Sequence, residues 1–463
     1  MNLNIKKVCL VAALSVTALV QSVFAEKPNI VFIFGDDWGW GDLSCHGHPY
    51  VKTPNIDRLA KEGTDFERFT VASGVCSPSR TAVMTGQFPA RYSIDGHFAW
   101  VPSNESRGMP DWLDVNAPTL PRFLQSAGYA TAHFGKWHIS NNMIPDSPTP
   151  ASYGYDEYGA FNCSGEQMPV HEDSMHANAF IEKSIEEGKP FFINLWIHEP
   201  HTPFHTVPKY EWRFRHLEDE TDRIYASVLS HADDRIGEVL DTLDRLGVTD
   251  NTLVVFSSDN GPARAGTPTE LKLGYDTATG AGWGIAGAKG ITAGRKGYKA
   301  SLFEGGINVP FLARWPGKIA SGKTDDSMIS AVDLLPTFCE IAGVKLPASY
   351  SSDGISQVDA LSGNGNKLRS KPLFWKFPVS WPAKASQPDH WVSYAVVYEQ
   401  WKLVTNRDGS YFELYDIVDD VFEKNDLKEE HLEVSKGLLA KLKTWQESLP
   451  EGPSGDVFSS LRD

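Results

Sequence analysis

Cys76-Ser77-Pro78-Ser79-Arg80 places a cysteine, a proline and an arginine at fixed spacing just ahead of an amphipathic helical run. Pro78 suits the first helical position, Ala82 and Val83 continue the turn and Gly86 ends it, so the cysteine is expected at a helix N-terminus. Backbone amides and the helix dipole favour an anion there, and Arg80 adds a planar donor fork suited to a tetrahedral oxyanion. A thiol in that place reads in two ways: a nucleophilic thiolate, or a small apolar residue buried by packing.

Asp36, Asp37, Asp259 and Asn260 form an all-oxygen set of hard ligands, which suits calcium or magnesium and serves zinc poorly. Calcium is the preferred reading. Singly, each pair is ordinary turn or cap chemistry; the weight comes from both following an apolar run. Lys136, His138, His201 and Lys299 supply what transfer of an anionic group needs, cations for its oxygens and imidazoles that move protons near neutral pH. His198 is a weaker case, orienting His201 or lining the pocket.

The elements that must position these residues follow from the apolar pattern. Asn29 to Phe34 runs into Gly35-Asp36-Asp37, Tyr129 to Phe134 into Gly135-Lys136-Trp137-His138, Phe191 to Ile197 into His198-Glu199-Pro200-His201, and Thr252 to Ser257 into Ser258-Asp259-Asn260. Each puts polar residues just past a strand, and ligands in open α/β sheets bind outside the carboxyl ends of strands, so the four clusters are expected to share one crevice. Helices fit between them, from Thr53-Pro54 to Gly63, from Leu120 to Gly128, and from about Thr221 to Leu246 with Ile236, Val239, Leu240, Leu243 and Leu246 buried. The alternation predicts an α/β layer architecture. The glycine-rich interval Gly274 to Gly297 reads as loop. From about Pro372 the pattern changes to strand-like runs, Leu373 to Phe377, Tyr394 to Thr405 and Tyr411 to Ile417, then a helix from about Glu430 to Leu449, which predicts a small antiparallel α+β unit. The polar stretch Ser351 to Lys371 is the expected linker.

The 463 residues allow one large catalytic domain with an appendage. Lys6 and Lys7, the apolar run Val8 to Val20 and Val23-Phe24-Ala25 read as a signal peptide cut after Ala25, and the run is too short to span a bilayer comfortably. The expected product is exported, periplasmic or secreted, with no stable membrane insertion. The net charge of −16 makes nucleic acid an unsuitable partner, and an anionic substrate needs a local basic pocket. Cys45, Cys76, Cys163 and Cys339 remain after Cys9 leaves with the leader. They form neither a disulfide scaffold nor a zinc pattern, and allow at most one disulfide among Cys45, Cys163 and Cys339.

Cys76-Ser77-Pro78-Ser79-Arg80 followed by Thr85-Gly86 resembles the signature of the type I sulfatases, whose cysteine is converted to formylglycine. Supporting matches are Asn29 to Asp42, Lys52 to Asp57, Gly135 to His138, Asp259-Asn260-Gly261, Lys299 to Pro310 with Phe303-Glu304-Gly305-Gly306, and the closing Trp401-Lys402-Leu403 and Glu413-Leu414-Tyr415-Asp416. The layout is most similar to the arylsulfatase A and N-acetylgalactosamine-6-sulfatase branch. The resemblance implies an alkaline-phosphatase-like large mixed sheet flanked by helices in residues 26–365, after a signal peptide at 1–25, with a smaller C-terminal antiparallel α+β subdomain in 366–463. It implies that Asp36, Asp37, Asp259, Asn260 and modified Cys76 bind calcium, that a formylglycine-generating or sulfatase-maturating enzyme converts Cys76, and that a gem-diol at position 76 attacks sulfur to form a covalent sulfoenzyme. Arg80 then favours deprotonation of the diol, Lys136 and Lys299 hold sulfate oxygens, His201 or Lys299 protonates the leaving alcohol, and His138 acts as the base that frees sulfate. The implied substrate is a sulfated carbohydrate of galactose type, carrageenan-like or glycosaminoglycan-like, with His97 and Trp100 placed to face a sugar. The alternatives are a phosphonate or phosphate monoester hydrolase of the same superfamily, and a non-catalytic sulfated-glycan-binding protein.

Overall fold

The structure is a computed structural model that describes residues 27–264, 273–283, 289–378 and 389–462; the expected leader lies outside the described residues. Asn29–Gly35 is apolar almost throughout and wholly buried, which suits a strand covered on both faces. It forms the middle of an eight-stranded sheet whose order is Lys323–Asp325, Thr64–Phe66, Phe311–Arg314, Thr252–Ser258, Asn29–Gly35, Phe191–Trp196, Ala130–Lys136 and Glu157–Phe161. Phe311–Arg314 alone runs against the other seven, so the sheet is mixed. Ile30, Phe32 and Phe34 point into one core while Val31 and Ile33 point into the other, the alternation that a two-layered covering requires.

Register brings the expected strand ends level. Gly35 pairs with Ser258, Ile33 with Leu195, and Gly135 with Trp196. The third strand runs on through Lys136, which pairs with Phe161, so this lysine is the last strand residue rather than a loop residue past it. Pro54–Glu62, Asp173–Glu186 and Glu220–Arg245 cover the second core, the last started by the Asp219 carboxylate, which accepts from the N–H groups of Thr221 and Asp222.

Cys76–Thr85 is a helix as expected, but it is buried on every side rather than amphipathic, because it lies between the large sheet and the Leu120–Ser126 and Leu334–Ile341 helices. Cys76 is its first residue and Pro78 its third, and Gly86 closes it with φ at +62°. The interval read as loop contains a hairpin, Leu273–Asp276 and Gly280–Trp283, whose turn is held by Asp276 accepting from the N–H groups of Ala278 and Thr279. Its free edge bonds Phe204 through Trp283 in both directions.

Arg369–Lys376, Tyr394–Glu399, Trp401–Thr405 and Phe412–Asp416 form an antiparallel sheet in that order. The run expected as one strand from Tyr394 to Thr405 is therefore two, folded at Glu399 (φ +55°), which pairs Tyr398 with Trp401. The Leu432–Glu447 helix packs on this sheet, Trp445 stacking on Phe374 at 4.9 Å. Leu373, Val396, Leu403 and Leu414 join the same apolar core as Phe32 and Phe34. Among the described residues no helix is long and apolar enough to cross a membrane, and Cys45, Cys76, Cys163 and Cys339 are all free thiols.

Candidate active site

Asp36, Asp37, Lys136, His138, His201, Asp259 and Asn260 fall at the carboxyl ends of the aligned strands, Cys76 and Arg80 on the helix beside them, and Lys299 reaches the same place from the loop before the Glu304–Ile307 helix. Cys76 Sγ lies 3.6 Å from Asp36 Oδ1 and 3.5 Å from Lys136 Nζ. Lys136 also pairs with Asp36 Oδ2, and Lys299 reaches both Asp37 oxygens, at 2.6 and 2.8 Å. Asp37 accepts from Asn260 Nδ2 (2.7 Å), and its own N–H donates to Asp259 Oδ1 (3.3 Å). Donor atoms of Asp36, Asp37, Cys76 and His201 lie within 4.8 Å of one another. All of these are buried except Lys299 and His201, which are partly exposed and mark the side open to solvent.

The donor types fit a hard divalent cation: Asp36 and Asp37 cluster with Cys76 and His201, Asp259 and Asn260 adjoin them from the next strand end, and Asn260, whose Nδ2 faces Asp37, keeps a buried Oδ1 with no hydrogen-bond partner. Arg80 differs from its sequence-based reading. Its fork donates to Asp259 Oδ2 from two nitrogens, at 3.0 and 2.7 Å, and to the Lys136 carbonyl at 3.1 Å, while the guanidinium lies against the Trp196 ring at 4.9 Å. The side chain is fully buried. Its donors are therefore spent on positioning a carboxylate and a strand end, and its charge, not its fork, faces the anion site.

Burial alone pushes the Asp36 carboxyl up, but the cations around it, Lys136, Arg80 and Lys299, outweigh burial and hold it well below the usual carboxylate range. Burial pushes the Cys76 thiol up to about 12 although Lys136 and Lys299 pull it down, so position 76 as encoded carries a thiol rather than a thiolate. Both lysines keep their protons against burial because carboxylates face them. His138 and His201 are driven towards the neutral form, chiefly by burial and then by the neighbouring lysines. His138 has a left-handed backbone (φ +52°), and its Nε2 donates to the Phe98 carbonyl at 2.9 Å, leaving Nδ1 buried with no partner. His201 Nδ1 donates to its neighbour Thr202 O at 2.6 Å, which leaves Nε2 as its outward atom.

His198 is buried behind His201, their rings 5.7 Å apart, with Nε2 on the Pro203 carbonyl at 3.1 Å. His97 has its ring 6.3 Å from His138, and burial with Arg107 brings its pKa down to about 4. Trp100, 56% exposed, sits at the surface rather than in the charged cluster.

Sequence reasoning missed the groups that aim the cluster. Ser77 Oγ accepts the Phe98 N–H (2.9 Å), fixing the carbonyl that His138 uses, and Asn141 Nδ2 donates to that carbonyl as well. The Glu199 carbonyl accepts from Trp38 Nε1 at 2.6 Å and from the Asp36 N–H at 3.4 Å, tying the His198–His201 turn to the first acidic strand end. Gly261 approaches Gly305 so closely that a Cβ on it would fall 2.0 Å from the Gly305 oxygen, which explains why Asp259-Asn260-Gly261 and Phe303-Glu304-Gly305-Gly306 belong together. Lys299 is delivered on the same segment, its N–H bonding Pro262 O at 2.9 Å and the next N–H bonding Gly74 O at 2.7 Å. The signal for these contacts was glycine itself, at spacings that only a close approach of two backbones would need.

A mixed sheet of this order flanked by helices is an alkaline-phosphatase-like fold, here with buried carboxylates and lysines gathered at its strand ends around a helix N-terminus. The sulfatase family model matches residues 28–344, and a model described as the N-sulphoglucosamine sulphohydrolase C-terminal region matches residues 296–448. N-acetylgalactosamine-6-sulfatase of Mus musculus is 30% identical over 407 residues, covering 79% of this chain and 72% of that protein. Arylsulfatase A of Homo sapiens is 30% identical over 399 residues, covering 76% and 71%. The chain belongs to the sulfatase family and is a sulfuric ester hydrolase. Among solved structures, Ps i-CgsB in complex with k-i-k-neocarrahexaose superposes with a TM-score of 0.76 at 26% identity, covering 94% of this chain and 96% of that one. The phosphonate monoester hydrolase of Agrobacterium radiobacter shares the fold, with a TM-score of 0.60 at 20% identity over 91% of this chain and 95% of that one.

Proposed function

We propose that this protein is an exported sulfatase that hydrolyses sulfate esters of a galactose-type carbohydrate, carrageenan-like or glycosaminoglycan-like, using formylglycine made from Cys76 by a maturating enzyme. The observation that carries the reading is the placing of Cys76 at a helix N-terminus, within 3.6 Å of Asp36 and 3.5 Å of Lys136, in a cluster where three carboxylates face three cations. The carbohydrate class is supported by relatives named for galactosamine sulfate and by a structural neighbour solved with a neocarrahexaose. The leader in residues 1–25 supports export, with residues 26–365 as the catalytic part and 366–463 as a subdomain that closes its core.

Asp36, Asp37, Asp259, Asn260 and residue 76 hold calcium in this reading. A bound divalent cation supplies a Lewis acid beside residue 76. With formylglycine at position 76, one hydroxyl of its hydrate would attack sulfur and pass its proton to His201 Nε2, and the S–O bond to the sugar alcohol would break. Lys136 and Lys299 stabilise the negative charge on the sulfate oxygens. The leaving alcohol takes its proton from Lys299, which keeps it, or from His201 once its outward Nε2 has taken one up; both stand on the open side. His138, whose Nδ1 is unpartnered, takes the proton of the second hydroxyl; the aldehyde re-forms and sulfate leaves without water attacking sulfur.

Measuring sulfate release from a panel of defined sulfated oligosaccharides tests the substrate class: release is expected from galactose-type sulfates, and activity confined to other sugars overturns that part. Paired sulfate and phosphate esters of one alcohol test the reaction, with the sulfate expected to turn over faster.

A further inference from the structure

A second cluster of metal-binding side chains lies behind the turn that carries His201. Donor atoms of His171, Glu199 and His231 lie within 4.8 Å of one another. They come from three elements: the turn before the Asp173–Glu186 helix, the segment after the Phe191–Trp196 strand, and the Glu220–Arg245 helix. Glu199 faces away from the catalytic cluster, which it touches only through its backbone carbonyl.

Three observations make this more than an ion pair. His171 Nε2 stands 3.2 Å from Glu199 Oε1 without hydrogen-bond geometry, and it is buried with no other partner. Two ligands of one tetrahedral zinc, each about 2.0–2.1 Å from the ion, stand roughly 3.3 Å apart. His231 Nδ1 and the nearby His205 Nε2 are also buried with no partner. The rings are held in place, His231 stacking on Tyr210 at 4.7 Å and meeting the His171 ring edge to face at 4.3 Å. Arg235 grips Glu199 at 3.0 and 2.6 Å, but its charge is matched by Asp173 at 2.9 Å, so the Glu199 charge is left over for an ion. A carboxylate has lone pairs enough for both.

We propose that His171, Glu199 and His231 form a binding site for a divalent transition-metal ion of the zinc class, separate from the oxygen-ligand cluster at the catalytic strand ends. Two imidazoles and one carboxylate suit zinc, nickel or copper and serve calcium poorly. An ion held there ties the His198–His201 turn to two helices and so fixes the position of His201 from behind.

The test uses the full chain in excess Ca2+, titrated with Zn2+ and, for its visible spectrum, with Co2+. Wild type is expected to take up one equivalent of zinc and to show a ligand-field band with cobalt. His171→Gln and His231→Gln are each expected to weaken uptake at least tenfold, while Cys76→Ser keeps it. His171 sits in a surface turn, so its variant decides the matter if the His231 variant fails to fold. No uptake by wild type, uptake unchanged in His171→Gln, or uptake lost in Cys76→Ser would each overturn the site. Because the readout is metal content and spectrum, it is independent of whether the enzyme proves to be a carbohydrate sulfatase.

Discussion

Two fully buried arginine–aspartate pairs, Arg80–Asp259 and Arg369–Asp333, are alike in burial and in contact distance, yet they end differently. Arg369 meets both Asp333 oxygens, at 2.6 and 2.8 Å, and the same carboxylate accepts from the N–H groups of Ser330 and Ile355 and from Gln357 Nε2. No polar side-chain atom of the pair lacks a partner, Arg369 Nε donating to the Lys371 carbonyl, and the pair joins the first strand of the C-terminal sheet to the catalytic core. Arg80 and Asp259 sit among charges with valences to spare: Asn260 Oδ1 and His138 Nδ1 have no partner, and two lysines lean on carboxylates beside a cysteine. A buried pair with closed surroundings fixes structure; one whose neighbours keep open valences is built for something that arrives. Burial alone does not separate the two, and counting donors and acceptors does.

The sharpest way to break this comparison is Cys76→Ser. It is isosteric and sits in the open cluster, so turnover of a sulfate ester is expected to fall by about 10⁴-fold or more, with one sulfate retained per chain and an unchanged melting temperature. Repeated turnover at the wild-type rate would remove residue 76 from the chemistry. Arg369→Met should do the reverse. It strands a buried carboxylate at a cost of about 3–5 kcal/mol, seen as a large drop in denaturant midpoint, while kcat of the protein that remains folded stays near wild type.

Lys136→Met removes a cation from the open cluster at nearly constant volume, and kcat is expected to fall about 10²–10³-fold, with a smaller loss of stability than Arg369→Met gives. The smallest effect concerns a third buried group, in which Lys402 serves both Glu304 and Glu423 at 2.7 and 2.8 Å. Burial raises the Glu423 carboxyl to about 7, Lys402 offsetting this only in part, so this acid holds a proton in the folded state below about pH 7. A raised acid favours the fold when protonated, and that contribution is lost as pH climbs from about 4.5 through about 7. Glu423→Gln should flatten this decline in unfolding free energy measured against pH; an unaltered slope would mean that the group does not titrate there.

What was legible in the sequence was local. Asn29–Gly35 and Thr252–Ser258 announced themselves as continuous apolar runs followed by acids, and the direction of a parallel strand then put those acids on one edge. The helix at Cys76 was legible from its proline and its closing glycine, but not its burial on every side, since Arg80 and the hydroxyls look polar until Asp259 and backbone carbonyls take up their donors. Tyr394 to Thr405 read as one strand because both halves are β-rich and the fold at Glu399 uses neither glycine nor proline. The hairpin at Leu273–Trp283 was hidden by its glycines. Ser77, Trp38 and Glu199 were invisible as site residues because each acts across 20 or more positions of chain, through partners that only the tertiary fold supplies.

The central claim is that Cys76 is a modification site at the heart of the open cluster. Mass spectrometry of the peptide carrying residue 76, from a preparation whose sulfatase activity has been measured, tests it directly. The account predicts an aldehyde or its hydrate in place of the thiol, in a fraction that rises with specific activity. A fully active preparation carrying only unmodified cysteine would contradict it.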